Sequence, residues 1–221
     1  MHLVRNNCSK ICSLYEIPRD FFRLLKFINL EENGIESWDE VIEFRHLPNL
    51  KRLTLNKNKI KNIYYKPGFK DLYMLSMEDN LIDNWQSFDA LNEFPQVKNL
   101  RTWNNPIFTE ELGGPKAREC AIARVQFVRT FNGAPIEDID RKDNETVYVN
   151  DCLRKCLLFY KTQAAPSEEV ADFTELDDPR LIAFMKPHPR WYELVELYGN
   201  PLGTIKLVNE KHNIATSSAK V

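Results

Sequence analysis

The apolar positions of the chain recur as LxxLxLxxNxI, and four copies stand in register. The first copy is Leu25, Ile28, Leu30, Asn33 and Ile35; the second is Leu50, Leu53, Leu55, Asn58 and Ile60. The third is Leu72, Leu75, Met77, Asn80 and Ile82; the fourth is Val97, Leu100, Thr102, Asn105 and Ile107, with Thr102 breaking the apolar rule. Their asparagines lie 25, 22 and 25 residues apart. Motif positions 4 and 6 fall on one side of a short strand, because side chains alternate along it. The asparagine at position 9 suits a turn. Its amide can satisfy backbone groups of the adjacent coil that would otherwise be buried unpaired. The pattern predicts strands near residues 27–31, 52–56, 74–78 and 99–103.

Shifting the chain by 47 residues tests the repeat without the template. Ser37-Trp38 then meets Asn84-Trp85, Val41 meets Phe88, Phe44 meets Leu91, and Leu47-Pro48 meets Phe94-Pro95. Ser37 and Asn84 are both good N-caps, and Glu40 completes a capping box with Ser37. Each begins a short helix whose Trp and aliphatic residues face inward. One such unit cannot bury its apolar face alone, so copies must stack. The spacing lies within the roughly 20–29 residues of leucine-rich repeats. The expected fold is an α/β leucine-rich-repeat solenoid, right-handed, with parallel strands on the concave face and a helical C-terminal cap.

Leu3 and Cys8 fall 25 residues before Ile28 and Asn33, so the chain reads as opening inside a worn repeat, with Arg5 in a leucine's place. No polar capping segment precedes it, which points to a truncation or a variant product of a longer gene. After Ile107, Thr109-Glu110-Glu111 leads to Gly113-Gly114-Pro115 and a helix from about Lys116 to Arg124. Val125, Val128 and Phe131 read as a degenerate last repeat closed by an Asn132-Gly133 turn. Asp143 to Lys161 is an amphipathic helix with Val149, Cys152, Leu153, Cys156, Leu157 and Tyr160 on one face. Ala164 to Glu169 is a polar linker. Asp178-Pro179 starts a short helix to about Met185, and a second runs to Tyr198. The expected division is repeats over 1–109, cap and amphipathic helix over 110–162, helical extension over 163–201, and a flexible tail over 202–221.

Hydrophobic residues make up 43% of the chain and charged ones 28%, enough for a real core. The longest apolar run, Cys156 to Tyr160, is far short of the roughly 20 residues that span a bilayer, and nothing near Met1 reads as a signal peptide. A net charge of −2 argues against a general nucleic-acid binder. Seven glycines include no Walker or dinucleotide pattern. Five cysteines, an odd number, suggest a reducing compartment. Cys8/Cys12 and Cys152/Cys156 are spaced i, i+4, unlike common zinc sites, and the latter pair reads as buried core. The sequons at Asn7 and Asn144 are patterns that a cytosolic chain does not use. His2, His46, His188 and His212 show no paired spacing, and Glu31-Glu32 and Glu78-Asp79 read as solvated acids. No catalytic set, metal site or cofactor is expected.

Positions 3, 5 and 7 point out of the sheet. They supply Phe27, Asn29 and Glu31; Arg52, Thr54 and Asn56; Met74, Ser76 and Glu78; and Asn99, Arg101 and Trp103. Aromatic residues, Met and Arg on a rigid sheet fit a partner-binding surface. Lys51, Arg52, Lys57, Lys59 and Lys61 form either a positive edge that steers an acidic partner or a solvated turn face.

Several segments resemble the leucine-rich-repeat region of the tubulin-specific chaperone E and chaperone E-like family. They are Leu30 to Trp38, Leu55 to Lys59, Asp89 to Pro95, Gly113-Gly114-Pro115 with Ile122-Ala123-Arg124 and Asn132-Gly133, Arg141 to Glu145, and His188-Pro189-Arg190 with Tyr198-Gly199. Ser217 to Val221 is similar to the approach to the family's ubiquitin-like domain. The family's chaperone E also carries a glycine-rich cytoskeleton-associated domain ahead of the repeats, and the E-like relative lacks it. The resemblance implies a non-enzymatic, cytoplasmic, cytoskeleton-associated scaffold. It would bind α-tubulin, and other tubulin-folding cofactors, during heterodimer assembly or disassembly. The residues alone also fit a generic intracellular adaptor, such as a ribonucleoprotein component or a phosphatase regulatory subunit. No nucleic-acid or membrane partner is expected.

Overall fold

The computed structural model describes residues 1–11, 22–109, 113–114, 116–163 and 173–203. Cys12, Glu110, Glu111, Pro115, the linker expected at 164–169 and the tail from residue 204 lie outside the described residues. The chain divides into two compact units, Met1–Lys142 and Asp143–Val221.

The first unit is built on one sheet in sequence order. Strands β1 (Phe27–Asn29), β2 (Arg52–Thr54), β3 (Met74–Ser76), β4 (Asn99–Arg101) and β5 (Thr130–Phe131) pair in parallel, and β6 (Ala134–Pro135) returns antiparallel. The register aligns Ile28, Leu53, Leu75, Leu100 and Phe131. The four-fold motif therefore sets the strand order. Each strand is shorter than the expected five residues. At motif position 8 the chain swings into the left-handed region at Glu32, Lys57, Asp79 and Asn104, with φ between 54° and 59°. This turn ends the strand and delivers the asparagine that follows.

The asparagines form a ladder. Asn58 accepts the Asn33 and Ile35 N–H groups through Oδ1 at 3.1 and 2.9 Å. Its Nδ2 donates to the carbonyls of Leu30, Leu55 and Asn56. Asn33, Asn80 and Asn105 repeat the arrangement one copy along. All four are buried with their backbone partners satisfied, which is how the solenoid tolerates so much irregular chain inside.

The worn first repeat exists, but in another register. Leu3 N–H donates to Asn29 O, as Leu30 N–H does to Thr54 O, and Arg5 N–H donates to Glu31 O, as Glu32 N–H does to Asn56 O. Asn33 Oδ1 accepts from Asn6 and Cys8. The true offset is therefore 27, pairing Leu3 with Leu30, Asn6 with Asn33 and Cys8 with Ile35. Arg5 does not replace a leucine. It occupies the left-handed position at φ 58°, matching Glu32 at 59°. Counting back a fixed 25 residues failed because repeat length varies, whereas the backbone ladder fixes position.

Helices follow alternate strands. α1 (Trp38–Ile42) is capped by the Ser37 hydroxyl, which accepts the Asp39 N–H at 3.1 Å. The expected capping box is only half made: the Glu40 carboxylate accepts the Ile11 N–H at 2.5 Å. α2 (Gln86–Asp89) receives its cap from Asn84, whose Oδ1 accepts the Ser87 N–H. Three of the pairs matched by the 47-residue shift are buried in both copies, Val41 with Phe88, Phe44 with Leu91 and Leu47 with Phe94, whereas Trp38 is buried and its match Trp85 only half-buried. Trp38, Tyr65 and Phe69 all meet the Phe94 ring, and Trp85, Phe88, Phe108 and Phe131 form a second run of rings toward the last strand.

Helix α3 (Ala117–Arg124) and the β5–β6 hairpin close the stack. Arg124 is buried, with its guanidinium on both Asp89 carboxylate oxygens at 2.7–2.8 Å and over the Trp85 ring. Burial pushes the Asp89 carboxyl up against the opposing pull of Arg124. Arg141 donates to the carbonyls of Ile122, Val125 and Val128, satisfying the end of α3 and the loop after it. Gly113 has a clear reason: a Cβ there would lie 1.9 Å from the Ile107 carbonyl oxygen. The compact unit that holds the repeats runs to Lys142 and so includes this helix and hairpin.

Helix α4 (Asp138–Gln163) is longer than the expected Asp143–Lys161, because Asp138 and Asp140 add a favourable acidic first turn. Within the second unit it meets α5 (Pro179–Met185) through Phe159 and Tyr160 and α6 (Trp191–Tyr198) through Glu145 and Val149. Asp178 caps α5 as expected, accepting the Arg180 N–H at 2.8 Å. Buried Arg190 pairs with buried Glu145 at 3.1 Å and with Glu193 at 2.9 Å, while Tyr198 donates to Glu145 at 2.6 Å. Trp191 donates to the Val149 carbonyl. The His188-Pro189-Arg190 and Tyr198 segment is thus the lock of this unit.

Candidate functional site

The outward face of the sheet is set by strand register. Phe27, Arg52, Met74 and Asn99 form one row, and Asn29, Thr54, Ser76 and Arg101 form the next. Glu31, Asn56, Glu78 and Trp103 continue as a third row, since the Glu32, Lys57 and Asp79 N–H groups donate to Asn56, Glu78 and Trp103. All twelve residues reach one face, but they are not equally available.

The middle is closed on itself. Ser76 is buried, and its hydroxyl donates to Asn56 Oδ1 at 2.8 Å. Asn56 also donates to the Glu78 carboxylate and accepts the Glu78 N–H. Ser76 and Asn56 therefore brace the face and offer a partner little. Asn29 Oδ1 is occupied by the Glu31 N–H. Met74 and Thr54 are half-buried.

The available chemistry sits at two ends. At one, Phe27 is 47% exposed, with the Arg52 guanidinium 5.2 Å from its ring centre. At the other, Trp103 is 53% exposed. Arg101 and Asn99 carry buried side-chain atoms, Nε and Oδ1, without hydrogen-bond partners among the described residues. Beneath them Thr102 faces the core with its hydroxyl equally unpartnered. Strand β4 is thus the least satisfied part of the sheet. An uncompensated buried polar atom costs about 1–3 kcal/mol, so polar demand and an exposed Trp coincide there.

The expected lysine cluster splits. Lys57 pairs with Glu31 at 2.7 Å and Lys59 with Glu36 at 3.1 Å, and Glu31 holds the Lys57 ammonium above its ordinary range. Arg5 pairs with Glu32, and Asn104 donates to Asp79. The acidic pairs are therefore matched by neighbours in the adjacent copy. Lys51 and Arg52 lie elsewhere, in an open groove of about 360 Å³ lined by Phe27, Lys51, Arg52, Asp71, Tyr73 and Gln96. Lys51 and Arg52 were legible as part of a positive edge, but the groove itself depends on Asp71, Tyr73 and Gln96, which only the stacking of adjacent copies brings beside them.

Other candidate groups are structural. His188 Nδ1 lies 2.9 Å from Tyr148 Oη and 3.3 Å from buried Cys152 Sγ, and its ring stacks on Phe184. Burial pushes the Cys156 thiol up to about 11, far from a reactive thiolate. Among the described residues, no cluster of His, Cys, Asp and Glu could hold a metal ion, and no helix is long and apolar enough to cross a membrane.

Short parallel strands, an asparagine ladder and a capped end define a leucine-rich-repeat protein. No family model matches the chain. Tubulin-folding cofactor E of Arabidopsis thaliana is 30% identical over 210 residues, 90% of this chain and 35% of that protein. The chain thus spans about a third of that relative, and it resembles the chaperone E family in its leucine-rich-repeat region. Toll-like receptor 4 of Boselaphus tragocamelus is 40% identical over 58 residues, only 26% of this chain and 7% of the receptor. A chain in the crystal structure of the Drosophila melanogaster SNF/U2A' complex superposes with a TM-score of 0.54 at 21% identity, covering 66% of this chain and 78% of that one. That likeness shows the fold alone.

Proposed function

We propose that this chain is a non-enzymatic scaffold that binds tubulin, through α-tubulin, as part of the tubulin-folding cofactor system in the cytoplasm. Its role would lie in assembling or dismantling heterodimers, alongside other tubulin-folding cofactors and in association with the cytoskeleton. The observation that carries the reading is the likeness to tubulin-folding cofactor E along 90% of the chain. The outward face supports it physically. A rigid sheet presents Phe27 and Arg52 at one end and Trp103 and Arg101 at the other, the residue types that anchor interfaces.

The test is binding of purified tubulin to the purified chain, with Trp103→Ala and Arg101→Ala measured singly and together. A Trp or Arg hot spot can be worth about 2 kcal/mol or more, and a loss of about 1.4 kcal/mol is already tenfold, so the double variant should bind at least about tenfold more weakly. Its melting temperature should hold, since Trp103 is 53% exposed. Absence of saturable tubulin binding by the wild type would overturn the function. Unchanged affinity in a folded double variant would move the site off this face.

A further inference from the structure

The edge where the strands begin carries a feature that the outward face does not explain. Motif position 2 is Lys26, Lys51, Tyr73 and Lys98, and Arg129 takes the equivalent place before β5. The backbone stacks these residues in one column. The Lys26 carbonyl accepts the Lys51 and Arg52 N–H groups, the Lys51 carbonyl those of Tyr73 and Met74, the Tyr73 carbonyl those of Lys98 and Asn99, and the Lys98 carbonyl those of Arg129 and Thr130. Five positions at the strand spacing of about 4.8 Å make a row about 19 Å long.

Four of the five positions are cationic, in a chain whose net charge is −2. Lys26, Lys51 and Arg129 are exposed. Among the described residues, Lys26, Lys51, Lys98 and the adjoining Arg52 take part in no ion pair. Arg129 has only Asp138 at 3.7 Å, with both side chains largely in solvent, a pairing worth little. The contrast with Lys57 and Lys59, each matched by a glutamate in the adjacent copy, is internal to the same sheet. The groove beside the row contains a single acid, Asp71, among its lining residues.

We propose that this edge is a docking groove for an extended, acidic segment of a partner protein. An extended chain rises about 3.3 Å per residue, so about six residues span the row. Carboxylates would meet Lys26, Lys51, Lys98 and Arg129, and a hydrophobic side chain would lie on Tyr73, a residue 47% exposed in the gap between cations. A single-stranded nucleic acid fits less well, because such sites need free ring faces for base stacking. Here Tyr73 offers one free ring face, but the Phe27 and Phe127 rings are already covered by Arg52 and by the Lys98 ammonium, 4.9 Å from the Phe127 centre, so successive bases would find no run of open faces.

The experiment uses a fluorescein-labelled peptide of eight glutamates around one phenylalanine, followed by anisotropy at low and high salt. Wild type should bind saturably and lose affinity as salt rises. Lys26→Glu with Lys51→Glu and Lys98→Glu should bind at least tenfold more weakly while melting like wild type. Tyr73→Ala, with every cation retained, should weaken the peptide by severalfold. No binding by wild type, or equal binding by the charge-reversed chain, would overturn the proposal. Tighter binding of a single-stranded oligonucleotide of equal charge would also overturn it, assigning the edge to nucleic acid. The outcome is separable from the tubulin reading. Peptide binding without tubulin binding leaves the groove and removes that function, and the converse does the reverse.

Discussion

The asparagine ladder makes a quantitative claim that its residues do not contribute equally. Replacing Asn58 by Ala removes the sole hydrogen-bond partner shown for three backbone groups, the Asn33 N–H, the Ile35 N–H and the Leu30 carbonyl. The other two carbonyls it serves are covered, since Leu55 O also accepts from Asn80 Nδ2 and Asn56 O also accepts the Glu32 N–H. Replacing Asn80 strands only the Ile60 N–H, because Leu55 O keeps Asn58 and Glu78 O keeps the Lys57 N–H. At the lower end of the about 1–3 kcal/mol for each group left unpaired, Asn58→Ala should destabilise by about 3 kcal/mol and Asn80→Ala by about 1 kcal/mol, a ratio of about three whatever the cost per group. Asn58→Asp sharpens the comparison. It keeps the acceptor but turns a donor into an oxygen facing three carbonyls, so it should cost at least as much as alanine at neutral pH. Urea unfolding followed by tryptophan fluorescence reads the midpoints, with equal slopes required before free energies are compared. If Asn80→Ala proves as costly as Asn58→Ala, or if Asn58→Asp is silent, then the hydrogen-bond account of the ladder fails.

Two further predictions come from burial and charge. Leu53→Ala and Leu75→Ala, both at 0% exposure, should each destabilise by about 2–5 kcal/mol; urea midpoints within error of wild type would refute the core assignment. Arg180 holds the Asp178 carboxyl below its ordinary range by hydrogen bonding. A depressed carboxylate stabilises the fold above its unfolded value, and the contribution is lost as pH falls through the folded one. Asp178→Asn keeps a capping side chain, so wild type should exceed it in stability at pH 7, with the gap closing below about pH 4. A pH-independent gap would show that the carboxylate charge plays no part.

What the sequence determined is whatever repeats. Leu, Asn and Ile at fixed spacing dictated the strand order, the inward face and the ladder, because each copy solves the same burial problem as its neighbour. The Ser37 and Asn84 caps and the Asp178-Pro179 helix start were legible for a similar reason: each needs only residues within one turn. What the tertiary structure decided depends on partners far along the chain. Asn6 in place of Cys8 as the first asparagine follows from a backbone ladder to residues 29–33, which no fixed period reveals. The Glu40 carboxylate left its capping box for the Ile11 N–H. Ser76 withdrew from the outward face because Asn56 was within reach of its hydroxyl. Lys57 and Lys59 were neutralised by the preceding copy, while Lys26, Lys51 and Lys98 were stacked into an uncompensated row. Side-chain type fixes what a residue can do, but which charge meets which is settled only when successive copies are laid about 4.8 Å apart.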